Sequence, residues 1–276
     1  VAHTLWKDGF IIFNFINQGS RKQTWSHQTE ADSFGLVQAK KESAYLSMRF
    51  KILFLSGGWL LLNCAEPHNL ERQAPGVFTD PRDGRTYKTV RIGDQVWMAE
   101  NLNYGQLVKD CDQRDNGIVE KTFYQNDSAL GAIYGSLYTW DEAMNYHNTE
   151  GNQGICPPGW HIPTLSEWRQ LAQFLGPDSA GQLLKASPND TIPWDGNNRS
   201  GFTAIPSGAG YRQSFGRMGQ WAVYWTSTEF DSAYAWFSQL DGFWYPQPPK
   251  YKILYLGNYY LKANAFCIRC IKDKNR

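Results

Sequence analysis

The segment Met48–Cys64 sets the tightest limit on what this chain can fold. It reads Met-Arg-Phe-Lys-Ile-Leu-Phe-Leu-Ser-Gly-Gly-Trp-Leu-Leu-Leu-Asn-Cys, a methionine, two positive charges, a short apolar run and a cysteine. A spanning helix needs roughly 20 apolar residues, so this run is too short to cross a bilayer. Its layout, basic then apolar then a cleavage site, is that of a secretory leader. Gly57-Gly58 interrupts both strand and helix periodicity, which argues against a core element. With 48–63 read as the leader, residues 1–47 are expected to be an extension upstream of the true start, disordered or absent in the cell. Residues 64–78, with Pro67, Pro75 and mixed charge, read as a tether, and 79–276 as one domain.

The ending Leu61-Leu62-Asn63-Cys64 resembles a bacterial lipobox, in which the cysteine becomes the lipidated first residue, although Asn63 stands where a small residue is usual. Lipid on Cys64 is therefore expected. The protein would be exported and held at the outer membrane or cell surface, touching the membrane only through that anchor. The 27 basic side chains balance 26 acidic ones, so no broad electrostatic footprint for nucleic acid exists. With 12 Trp, 15 Tyr and 15 Phe, and 25 Gly punctuating the chain, disorder and coiled coil are excluded too.

After the turn cluster Thr79–Gly84, residues Tyr87–Met98 alternate around Gly93-Asp94 and predict a β-hairpin. Thr139-Trp140-Asp141-Glu142 and Thr164-Leu165-Ser166-Glu167 both have the capping-box pattern that satisfies free amides at a helix start. They predict a short helix over 140–146 and a longer one in which Leu165, Trp168, Leu171, Ala172 and Leu175 share a face until Gly176-Pro177. Short strands are expected over 202–205, 209–212, 222–227, 235–240 and 263–271. Two main helices with short twisted antiparallel sheets define an α+β domain.

Six ordered phrases then become informative. They are Asp83–Tyr104 (Asp-Gly-Arg-Thr-Tyr-Lys-Thr-Val through Ala-Glu-Asn-Leu-Asn-Tyr), Tyr134–Trp140 (Tyr-Gly-Ser-Leu-Tyr-Thr-Trp), Cys156–Thr164 (Cys-Pro-Pro-Gly-Trp-His-Ile-Pro-Thr), Gly201–Pro206, Trp225–Glu229 and Ile268–Asp273. Together they closely resemble the Fibrobacter succinogenes major paralogous domain, a family of exported bacterial proteins and lipoproteins. The phrase Gly159–Thr164 leading to Glu167-Trp168 is also similar to one that begins a helix in formylglycine-generating, sulfatase-modifying enzymes. The resemblance implies a C-type-lectin-like fold, with the first and last strands side by side.

With Cys64 assigned to lipid, Cys111, Cys156, Cys267 and Cys270 remain and allow three complete pairings. The family resemblance implies a Cys156–Cys270 disulfide, with Cys111–Cys267 as the second-choice pair. Family members often carry another cysteine just before the phrase at Tyr134, where this chain has Gly131 and Ala132. Cys267-Ile268-Arg269-Cys270 lies in an apparent terminal strand, not at the helix start that thiol redox chemistry uses. A zinc site would need a second ligand pair, and His68, His147 and His161 are not at ligand spacing. The formylglycine-generating enzymes use a cysteine pair upstream of the last strand, whereas 240–264 here holds none. The chain also lacks a Gly-x-Ser-x-Gly elbow, a His-Glu-x-x-His helix and a phosphate loop. No catalytic residue, no cofactor and a structural role for His161 are expected. Asp190, Asp195 and Asn197, with Asn198, cluster in a loop and read as ordinary turn residues, with calcium ligation through their oxygens as the weaker alternative; no metal is expected.

The segment Asp241–Leu261 is dense in aromatics outside the six phrases. Trp244, Tyr245, Tyr251, Tyr255 and Tyr259 are the ligand-binding candidates, because Trp and Tyr give large contact area at low entropic cost. The chain is thus expected to be a non-catalytic, lipid-anchored surface protein, a monomeric domain binding a carbohydrate or a surface protein. A degenerate enzyme related to the formylglycine-generating group, or a structural envelope component, are the alternatives.

Overall fold

The computed structural model describes residues 6–7, 10–11, 75–212, 214–242 and 254–274. The leader, Cys64, tether residues 64–74, and Trp244, Tyr245 and Tyr251 lie outside the described residues. The chain divides into two compact units, Val1–Leu62 and Asn63–Arg276. In the first, β1 (Trp6–Lys7) and β2 (Phe10–Ile11) form an antiparallel pair.

The second unit begins with β3 (Gly76–Thr79), β4 (Thr86–Ile92), β5 (Gln95–Met98), β6 (Gln106–Leu107) and β7 (Glu120–Lys121). A 3-10 turn over Tyr124–Asn126 leads to α1 (Ser128–Tyr134) and α2 (Trp140–Ala143), then β8 (Trp160–His161), α3 (Leu165–Leu175) and α4 (Ala180–Leu184). The remainder is strand: β9 (Ser207–Tyr211), β10 (Ser214–Met218), β11 (Trp221–Glu229), β12 (Tyr234–Asp241), β13 (Leu254–Leu261), β14 (Asn264–Ala265) and β15 (Ile271–Lys272). One sheet has the order β3-β4-β5-β15-β8, the other β10-β9-β11-β12-β13 with β14 added to β9, and β6 pairs with β7 separately.

Hydrophobic burial on both faces of β11 organises the unit. Ala222 and Tyr224 enter one cluster with Trp97, Trp168 and Phe202, while Val223 and Trp225 enter another with Trp140, Trp160, Phe237 and Phe266. Trp97 meets Trp168 at 4.7 Å, and Trp225 stacks on Phe266 at 4.3 Å. Each such pair adds about 0.5–1.5 kcal/mol beyond area burial. Helix α3 closes the first cluster with Leu165, Trp168, Leu171, Ala172 and Leu175. Its start is held reciprocally, Glu167 N donating to Thr164 Oγ1 at 3.1 Å and Thr164 N to Glu167 Oε2 at 2.9 Å.

The α+β, C-type-lectin-like expectation is corrected: the molecule is mostly β, with 36% of described residues in strands and 16% helical. Helix α2 is a single turn. Thr139 makes no side-chain cap bond there, and Asn145 and Tyr146 adopt φ of 51° and 58°, which ends helical winding. The expected strand over 263–271 is divided, because Phe266 bridges to Tyr138 and Cys267 to Tyr224 between β14 and β15. Residues 202–205 supply only a bridge from Ala204 to Lys185. Gly76–Phe78, assigned to the tether, form part of β3, and the Phe78 ring packs on Trp160 at 5.2 Å.

The C-terminal segment is pinned covalently and by pairing. Cys156 and Cys270 are joined by a disulfide, and Ile271 pairs with both Trp97 of β5 and His161 of β8. Cys111 and Cys267 are free, which corrects the second-choice pair. Their sulfurs have different neighbours. Cys267 Sγ lies 3.2 Å from Ser207 Oγ and 3.3 Å from Asn101 Nδ2, whereas Cys111 Sγ lies against the Gly210 backbone. Gly131 also leaves no room for the additional family cysteine, since a Cβ there would sit 2.1 Å from the Phe123 ring.

Candidate functional site

Strand alternation and one turn assemble an aromatic cluster on the outer side of β12 and β13. Ala235 and Phe237 point into the core, so Tyr234 and Trp236 emerge on the opposite face. The antiparallel register sets Trp236 directly across from Tyr259. Phe230 arrives from the turn after β11, where its N–H donates to Tyr234 O at 3.0 Å. Asp231 Oδ1 fixes that turn by accepting from Ala233 N at 2.8 Å and Tyr234 N at 2.9 Å, the local bond that suits Asp to turns.

The resulting quartet is ordered. Phe230 and Tyr259 stack at 3.9 Å with an interplanar angle of 2°. Trp236 meets them edge-on at 5.3 Å and 5.5 Å, and Tyr234 meets Tyr259 edge-on at 5.7 Å. Phe230 is 44% exposed and Tyr259 37%, large values for apolar rings of this size. Phe230 and Tyr259 are thus exposed side by side, with the half-buried Tyr234 and Trp236 against them.

Of the expected ligand residues that are described, Tyr259 belongs to this quartet and Tyr255 does not. Tyr255 is half-buried at the other end of β13, opposite Gln239, and burial together with Asp241 pushes its phenol up to about 12. Phe230, Tyr234 and Trp236 were not anticipated from the sequence. The alternation of Tyr234-Ala235-Trp236-Phe237 in a half-buried strand was the available signal.

A polar cleft of about 840 Å³ lies between the 108–116 loop, α2 and the β9–β10 turn. Gln113 anchors the loop, donating to Leu137 O at 3.0 Å and accepting from Thr139 N at 2.7 Å. Glu142 is buried behind the cleft, accepting from Glu120 N at 2.8 Å and Tyr146 Oη at 3.0 Å, and its burial raises its carboxyl above the usual range. Burial, chiefly, and nearby Asp110 push the Cys111 thiol up to about 12; burial pushes Cys267 up to about 11. Neither is poised as a thiolate.

The oxygens of the 190–198 loop, the weaker calcium candidates, have partners within the protein. Asp195 pairs with the buried Lys185 ammonium at 2.7 Å, Asp190 Oδ2 accepts from Ser187 N at 2.6 Å and Asn198 Nδ2 at 3.0 Å, and Asn197 Oδ1 accepts from Arg199 N at 3.1 Å. Among the described residues no three His, Cys, Asp or Glu side chains converge as metal ligands. His161 is a clamp: Nδ1 lies 2.6 Å from Asp273 and Nε2 3.1 Å from Glu167.

A β-rich domain with a disulfide-pinned last strand, an exposed aromatic strand face and a neighbouring polar cleft is therefore defined. The model of the Fibrobacter succinogenes major domain matches residues 90–272, well over half of the chain, and the chain belongs to that family. No curated protein and no solved structure matches it. Among the described residues, no helix is long and apolar enough to cross a membrane.

Proposed function

We propose that this member of the family is an exported, non-catalytic binding protein, held at the cell surface through lipid on Cys64, whose aromatic quartet takes the ring faces of a carbohydrate. The observation that carries the reading is the exposed Phe230–Tyr259 stack braced edge-on by Trp236. Sugar rings present flat C–H faces that pack on aromatic surfaces, and rings already held in place lose little entropy on binding. The high thiol pKa values of Cys111 and Cys267 favour binding over thiol chemistry.

A glycan array probed with the full chain tests the ligand class. Binding to at least one polysaccharide, lost in Trp236→Ala, is expected; equal binding by both proteins would refute the assignment. Metabolic labelling with a radioactive fatty acid tests the anchor, and label persisting in Cys64→Ala would exclude lipid at that residue.

A further inference from the structure

We infer that Lys185 and Asp195 are a self-modifying pair: the Lys185 amine condenses with the Asp195 carboxyl, releasing one water and leaving an amide cross-link between the two side chains. No part of this depends on what the aromatic quartet binds.

The backbone brings the two side chains together. Lys185 follows α4 in an extended conformation, and Ala204 bridges to it from a parallel segment. The 186–198 loop folds back over it, Gly196 N donating to Ala186 O at 2.9 Å and Asn198 N to Lys185 O at 3.0 Å. A Cβ at Gly196 would stand 2.3 Å from Lys185 O, so only glycine allows this approach. The Lys185 side chain is wholly buried. Its Nζ lies 2.7 Å from Asp195 Oδ1, 2.8 Å from Asp241 O and 5.0 Å from the Trp194 ring centroid. Both Asp195 carboxylate oxygens are shut off from solvent, and apart from this ammonium no described group bonds to them. Trp194 is confined over the pair, since a Cβ at Gly242 would already lie 2.8 Å from its indole nitrogen.

An ion pair in such a place is costly. Burial disfavours both charges, and a carboxylate with no further donor leaves its remaining lone pairs unsatisfied. Burial lowers the Lys185 ammonium below its ordinary range despite the pull of Asp195, which favours the neutral, nucleophilic amine. The condensation balances without a co-reactant. Nζ gives one proton to the Asp195 carboxylate and, as the amine, adds to Cγ. A second Nζ proton passes to the oxygen that took the first, the Cγ–O bond breaks, and that oxygen leaves as water. One C–N bond replaces one C–O bond, and nothing is oxidised or reduced. Asp241 is the proton carrier. Burial, chiefly, raises its carboxyl above the ordinary carboxylate range, and it interacts with the charges of both Lys185 and Asp195. Reactants held in contact with bulk water excluded condense where the same groups in solution would stay apart.

The test is peptide mapping of the folded, purified full chain by mass spectrometry after reduction, denaturation and trypsin. The amide blocks cleavage after Lys185, so a single peptide Gln170–Arg199, lighter by one water than its sequence, is expected. Chymotryptic cleavage after Trp194 should then leave its two halves joined through the side chains. Asp195→Asn should form the same link with loss of ammonia in place of water, and Lys185→Arg should show the full mass with cleavage after the substituted residue. In Asp241→Asn, linkage followed from pulse-labelled synthesis should be slowed about 100-fold or more. Peptides Gln170–Lys185 and Ala186–Arg199 of full sequence mass in the parent chain would overturn the inference. So would loss of water with trypsin still cutting after Lys185, since that marks a cyclic imide at Asp195-Gly196. Linkage at the parent's rate in Asp241→Asn would overturn the role of Asp241 and leave the pair itself standing.

Discussion

Phe230 lies flat against Tyr259, with ring centroids 3.9 Å apart and planes 2° from parallel. The two rings come from different strands, and the turn at Asp231 and the β12–β13 register bring them together. Trp236 braces both from the side. Its removal should cost about 1–2 kcal/mol of stability, because the side chain is half-buried and contributes aromatic contacts of about that size. Urea unfolding of Trp236→Ala checks the value; a loss above about 4 kcal/mol would place the residue in the core instead.

The Cys156–Cys270 disulfide closes a segment with a sequence separation of 114. A closed loop of that length restricts the unfolded chain strongly, so the paired Cys156→Ser, Cys270→Ser variant should lose about 2–5 kcal/mol. Unfolding midpoints with and without reductant check this. The same midpoint for both would show that the bridge contributes nothing.

The two remaining cysteines should be inert in the native state. With their thiols pushed up to about 12 and 11, almost no thiolate exists at pH 8, and both side chains are buried. Iodoacetamide should label neither in the folded protein and both in denaturant, as read by mass spectrometry. Rapid native labelling of Cys111 would contradict the packing described.

His161 ties β8 to the start of α3 and to Asp273 near the C-terminus. Burial disfavours its charged form, but the Glu167 and Asp273 carboxylates outweigh burial and raise its pKa above the ordinary value. A raised folded-state pKa stabilises fully below the unfolded value of about 6.5 and is lost as pH rises through the folded value. Glu167, lowered despite its burial by His161 and Thr164, stabilises above about 4.5 and is lost on acidification. The melting-temperature deficit of His161→Gln should therefore be largest near pH 5.5–6 and shrink by pH 9. A deficit independent of pH would assign His161 to packing alone.

Arg269 is buried, and among the described residues no carboxylate pairs with it. It donates to Asn101 Oδ1 at 2.7 Å, Phe202 O at 2.5 Å and Thr203 O at 2.9 Å, and its guanidinium lies 4.6 Å from the Phe202 ring centroid. These bonds join β15's approach to two loops, and lysine cannot reproduce the planar fork. Arg269→Met should cost about 3–5 kcal/mol by stranding the acceptors, and Arg269→Lys should recover little of it.

Legibility in the sequence followed the range of the forces involved. The capping box at Thr164 and Glu167, the face through Trp168 and Leu171, and the hairpin at Gly93-Asp94 are local patterns, and the corresponding elements formed. The overall class did not follow, because strands over Gly76–Thr79, Ser214–Met218 and Leu254–Leu261 add to the sheets without a local signal that was read, and the helix begun at Thr139 depends on what Asn145 and Tyr146 do next. Their left-handed conformations stop it after one turn. Which partners the acids of the 190–198 loop take depends on Lys185, whose burial no local pattern announces. Burial places its ammonium on Asp195. The aromatic site was sought in a continuous run of aromatic sequence, yet Phe230, Trp236 and Tyr259 meet only through strand register. No linear spacing encodes that meeting.

The central claim is that this quartet is the ligand face. Saturation-transfer NMR on the full chain with a bound oligosaccharide from the array, repeated on Phe230→Ala with Tyr259→Ala, addresses it most directly. Transfer to sugar-ring protons is expected in the parent chain and lost in the double variant, which gives up the ring contacts of the quartet but keeps the core and stays folded at the temperature of the measurement. Transfer of equal strength in both proteins would contradict it.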